Sequence, residues 1–148
     1  MPAAGRLSSA TPTIALGTAA VFTGVAVVHV AWGRGSTFPY QTRAELNDAV
    51  IGRDATPSPA ACNAVAAALT AAALLVGRAG TGGGRLSRVG AGGVAAVLAV
   101  RAAFGLAGRT DMLVPGSASA QFRRLDRRVF GPLCLALATG AACAALAG

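Results

Sequence analysis

Lysine is absent from this 148-residue chain; all thirteen of its cationic side chains are arginines. Charge of either sign is scarce, at 12% of residues, about half the share of an ordinary globular domain. A water-soluble domain of this size needs more polar surface than that, so composition speaks against one. Histidine occurs once, as His29, and with no H-E-x-x-H pattern and no Ser/His/Asp set the usual hydrolase chemistries lack residues. The three cysteines, Cys62, Cys134 and Cys143, form neither a C-x-x-C pair nor a metal-ligand spacing. Acids number five, and none lies inside an apolar run, which leaves no paired carboxylates for a proton relay within one. Gly82-Gly83-Gly84 is followed by no Lys-Ser/Thr and preceded by no strand, so it is not a phosphate loop. No metal and no cofactor is therefore expected.

What remains is apolar and basic. Hydrophobic residues make up 54% of the chain, and the formal charge is +8 with a pI near 11.5. A nucleic-acid binder would cluster its cations on a soluble scaffold. Here the arginines lie almost wholly between apolar segments, so no nucleic-acid partner is expected. With so much alanine and glycine, the exclusive use of arginine also fits a codon bias. Arginine nonetheless suits headgroup phosphate, because its planar fork binds phosphate bidentately.

Four apolar runs stand out, at about 13–33, 60–77, 89–108 and 130–148. Each approaches the ~20 residues a helix needs to cross about 30 Å of hydrocarbon. None alternates as a barrel strand would. The expected fold is all-α: one integral membrane domain over residues 1–148, a four-helix transmembrane bundle running up-down-up-down. The first run follows a single early arginine, Arg6, but exceeds a signal-peptide core in length and is expected to be a retained span. The connections read as loops, the first through Pro39, Pro57 and Pro59, the second through Gly80 to Gly84, the third through Pro115-Gly116-Ser117. Residues 118–130 have helical character, so the last helix is expected to start outside the membrane and enter near Pro132. Ala136, Gly140, Ala144 and Gly148, and likewise Ala64, Ala68 and Ala72, recur every four residues and suggest small-residue packing stripes. Cation counting places the first and third connections in the cytoplasm, but all five acids lie there too, and orientation stays open.

On that topology one end of the bundle is unusual. Trp32, Phe38, Tyr40, Phe104, Phe122 and Phe130 all fall at or near the face bearing the first and third connections; only Phe22 is central. His29 lies one turn before Trp32. Arg101 stands seven residues before Gly108, roughly 10 Å deep at helical rise. A guanidinium there costs several kcal/mol unless something receives it. It either snorkels to headgroups or meets a buried partner or hydrated cavity. The second is favoured by the lean of helical side chains toward their own amino terminus, here away from the near interface. The candidate partner is Asp126, in Arg123-Arg124-Leu125-Asp126-Arg127-Arg128, a run that also reads as a basic collar at the headgroups. His29, Trp32, Arg101, Asp126 and Arg127 are thus the candidate ligand or structural site. Cys62 and Cys134 start their helices at this same face, as a candidate thiol pair or as small packing residues.

At these residues the chain resembles DUF3995, a family of small bacterial four-span membrane proteins of unknown function. The resemblance rests on His29-Val30-Ala31-Trp32 closing the first span, on Arg101-Ala102 in the third, and on the stretch from Phe122 through Asp126, Arg128, Phe130 and Pro132-Leu133-Cys134 leading into the fourth. Phe130 stands where the family often has tyrosine. The resemblance implies four spans, a bacterial inner membrane and importance for these residues, but no activity. The expected function is that of a non-enzymatic membrane protein whose polar, aromatic face binds a lipid headgroup, a small ligand or a partner protein. The alternative is a small membrane enzyme or redox protein using His29 and Cys62/Cys134. A transporter role would require a homo-oligomer.

Overall fold

A computed structural model describes residues 3–116 and 119–147, with side chains from residue 10 onward. Arg6, Ser117, Ala118 and Gly148, each used in reading the sequence, lie outside the described residues or side chains. No strand occurs among the described residues. The helices are α1 (Ala3–Gly33), α2 (Arg43–Val50), α3 (Pro59–Gly80), α4 (Arg85–Ala107), α5 (Ala120–Leu125) and α6 (Gly131–Leu146). A 3-10 turn at Thr110–Met112 follows α4, and a π-turn at Asp126–Phe130 fuses α5 to α6.

Four helical stretches are long and apolar enough to cross a membrane: Ala10–Gly33, Pro59–Gly80, Arg85–Ala107 and Ala120–Leu146. Local chemistry sets several of their ends. Ser58 caps α3 by accepting from the Ala61 N–H at 3.1 Å, and Pro59 occupies the first turn, where its missing N–H costs nothing. Gly108 closes α4 in the left-handed conformation, φ +67°. Pro132 has no N–H for the carbonyl one turn back, and the chain opens to a π-turn just before it, with the Gly131 N–H reaching the Asp126 carbonyl.

The helices associate as two hairpins, α1 with α3 and α4 with α6, which meet through α3/α4 and α1/α6. Buried positions alternate by three and four: Ala15, Thr18, Phe22 and Ala26 on α1, and Cys62, Ala66, Ala73, Val76 and Gly80 on α3. Phe22 is the largest apolar side chain sealed inside, in a core otherwise built mainly of alanine. Small residues let the backbones close up. A Cβ on Gly80 would collide with Ala15, and one on Gly140 with Thr18.

The expected stripes shift accordingly. Ala64 and Ala68 are exposed and only Ala72 is buried; on α6, Ala136 is exposed whereas Gly140 and Ala144 are buried. A strict four-residue repeat drifts around a helix of 3.6 residues per turn, whereas alternating threes and fours keep to one side. Outward faces are apolar: Val27, Leu74 and Val97 are each more than 60% exposed.

The first connection is not simply a loop. It contains α2, opened by a capping box in which Thr42 accepts from the Glu45 N–H while the Glu45 carboxylate accepts from the Thr42 N–H. This helix packs against α5 from the third connection. The Ser119 N–H donates to the Gly52 carbonyl at 3.1 Å, and Arg53 Nη1 to the Pro115 carbonyl at 3.1 Å. Phe122 is buried and lies flat enough on Gly52 that a Cβ there would sit 2.8 Å from its ring carbon. The two connections thus form a single cap over one end of the bundle.

Candidate functional site

The structure divides four of the five candidate residues between two places and sets the fifth, Arg127, apart from both. Arg101 and Asp126 form the first. Asp126 opens the π-turn, is 1% exposed, and receives Arg101 Nη2 on Oδ1 at 2.6 Å. Its other oxygen, Oδ2, accepts a hydrogen bond from the hydroxyl of Thr110, a residue that nothing in the sequence singles out. Both carboxylate oxygens are therefore engaged, one by a charge and one by a neutral donor. Arg101 Nη1 is buried without a protein partner among the described residues.

Arg101 does not lean toward its own amino terminus as its helical position suggested. Its guanidinium lies beside Gly105, one turn further along α4, where a Cβ would stand 2.7 Å from Nη1 and 3.1 Å from Asp126 Oδ1. The missing side chain at Gly105 opens the path by which Arg101 runs up its own helix to a carboxylate on another. Gly131 does the same for the backbones, a Cβ there falling 3.2 Å from the Leu106 nitrogen. The pair joins α4 to the π-turn between α5 and α6, next to the close approach of Gly131 to Leu106.

Arg127 faces elsewhere. Its guanidinium presses on Gly108, and Nη2 donates to the Ala107 carbonyl at 3.4 Å, placing a cation at the carboxyl end of α4, where the helix dipole favours it.

His29 and Trp32 form the second place. They line a cavity of about 170 Å³ between α1, α2 and α3, with Arg43, Leu46, Asn47, Val50, Ile51, Cys62 and Val65 among its walls. Arg101 and Asp126 are not part of it. The His29 ring packs on Trp32 with centroids 4.9 Å apart, and Nδ1 lies 2.9 Å from the Val25 carbonyl, which can only accept. Nδ1 therefore carries a hydrogen, and in the neutral ring Nε2 is an acceptor. The Trp32 indole N–H donates to the Phe38 carbonyl at 2.7 Å, tying the first connection to the end of α1. Asn47 is 3% exposed and its amide donates to the Thr56 hydroxyl at 2.9 Å. Sequence reading missed Arg43, Leu46 and Asn47 because α2 was missed; Thr42-x-x-Glu45 was the signal that could have found it.

The cysteines are free thiols in different surroundings. Cys62 is buried in the cavity wall, where a Cβ on Gly33 would stand 3.1 Å from its own Cβ. Cys134, on α6, is only partly buried and is not among the cavity's walls. Among the described residues no group of three or more His, Cys, Asp or Glu is arranged to hold a metal ion.

The family model described as Protein of unknown function (DUF3995) matches residues 22–141, a span that holds both the ion pair and the cavity. The chain belongs to this family. No curated protein and no solved structure matches it. Within the matched DUF3995 span stand all five candidate residues, together with Thr110 and Gly105, which complete the ion-pair site.

Proposed function

We propose that this chain is a non-enzymatic, multi-pass protein of a bacterial cell membrane whose capped end holds an anionic phospholipid headgroup. One observation carries the reading: Asp126 points inward and is neutralised there, so the acid nearest the arginine collar is withdrawn from its surface. Arg124 and Arg128 are left four residues apart beside Tyr40 and Gln121, along a groove of about 680 Å³ with no carboxylate in its walls. Like charges at that spacing repel and favour a shared anion. Apolar side chains exposed just below, Val129, Leu133 and Leu135, suit acyl chains. After reconstitution in mixed vesicles and gentle extraction, native mass spectrometry should find phosphatidylglycerol retained over phosphatidylcholine. The double substitution Arg124→Gln/Arg128→Gln should abolish the preference. Equal retention of both lipids by the unaltered protein would remove the proposal, and a mass of two protomers or more would report self-association.

One observation favours a second reading, a thiol enzyme: His29 and Cys62 share the cavity wall. If the imidazole activates the thiol, His29→Ala should slow Cys62 alkylation by iodoacetamide about tenfold or more near neutral pH. An unchanged rate would dismiss this reading.

A further inference from the structure

The cavity between α1, α2 and α3 has the make-up of a binding site rather than of a packing fault. Its walls are largely aliphatic, yet they hold one cation, Arg43, and the His29 ring. Arg43 forms no ion pair among the described residues, and its one hydrogen bond, from Nη1 to the Trp32 carbonyl, is long at 3.4 Å. A guanidinium half withdrawn from water beside apolar walls lacks the counter-charge it would ordinarily need. Pro57, Ala61 and Val65 in the wall are exposed, so the space opens outward.

Volume and charge together narrow the occupant. An apolar cavity of about 150 Å³ accommodates a benzene ring. At about 170 Å³ this one has room for roughly six carbons and little more. Small-molecule sites of this kind combine apolar walls with a few polar groups that fix orientation. The single uncompensated charge is positive, and Asn47 has its amide committed to Thr56. We infer that the cavity binds a small monocarboxylate of about six carbons, its carboxylate on Arg43 and its apolar chain against Leu46, Val50 and Val65. The site lies apart from the arginine collar and is independent of any headgroup bound there.

Trp32 is the only tryptophan in the chain and lines the cavity, so its fluorescence reads occupancy directly. The test titrates hexanoate, hexanol and hexylamine, three six-carbon molecules that differ in their heads, into the protein in phosphatidylcholine nanodiscs, which hold no anionic lipid for the collar. Hexanoate should shift Trp32 emission saturably, hexanol should bind about tenfold more weakly or worse, and hexylamine should give no saturable change. Arg43→Gln should weaken hexanoate by about tenfold or more while leaving hexanol unchanged. Val50→Phe, which fills the cavity, should abolish both responses, with thermal melting reporting whether that variant stays folded. Three results overturn the proposal: equal responses to all three heads, which is what partition into lipid gives; hexanoate binding indifferent to Arg43→Gln; or no saturable response at all. Should Val50→Phe unfold, the Arg43→Gln comparison still decides.

Discussion

Replacing Arg101 by leucine is expected to lower stability by about 3–5 kcal/mol, because it strands a buried carboxylate. Asp126 is 1% exposed, and without Arg101 only the Thr110 hydroxyl remains to satisfy it. The reverse change, Asp126→Asn, should be milder. It removes the counter-charge but keeps an acceptor facing Arg101, whose side chain is 27% exposed and retains contact with its surroundings. In the double variant neither full charge is left buried, so the combined loss should fall short of the sum of the two. Thermal or denaturant melts of the four proteins in one detergent measure this coupling, and strict additivity would mean that the pair does not act as a unit.

Gly140→Leu should be nearly as damaging, through steric overlap rather than charge. α1 and α6 touch at this point, where even a Cβ would collide with Thr18, whose hydroxyl is already turned back to the Ile14 carbonyl at 2.8 Å. The helices must separate, or α6 must rotate away from the core, at a cost of about 3 kcal/mol, the upper part of the usual range for overpacking. Gly24→Leu is the internal control, since nothing lies within 4 Å of its Cβ position and leucine is the better helix former. A loss in Gly24→Leu equal to that in Gly140→Leu would show that helix packing is not the cause.

The four long helices were legible because each is an unbroken apolar run near the length of a bilayer crossing. Their ends moved by a few residues where chemistry outside the run decided them, as at Ser58, which caps α3. Arg101 and Asp126 could be paired on paper because each is conspicuous alone: a charge within an apolar run and an acid within a row of arginines. Thr110 could not, since a threonine in a connection announces nothing until the carboxylate it serves is located. Gly105 was equally silent. One more glycine in a glycine-rich chain reveals its purpose only when the guanidinium passes over it. The cavity was hidden for another reason: its walls come from α1, α2 and α3, and the helix supplying its cation is eight residues long and too polar to register as an apolar run. The expectation of a single site followed from placing everything at one end of the bundle, which is coarser than knowing which hairpin each residue belongs to.

The bonds joining the two connections have a bearing on how the protein is made. The Ser119 hydroxyl donates to the Asp48 carbonyl and Arg53 to the Pro115 carbonyl, partners 71 and 62 positions away along the chain. Every wall of the cavity, by contrast, lies between His29 and Val65. A ribosome therefore delivers a complete set of cavity walls while the segments that clamp α2 from outside are still unsynthesised, and the carboxylate that fastens the second hairpin comes later still. Assembly can proceed one hairpin at a time, with the bonds between the two connections closing last.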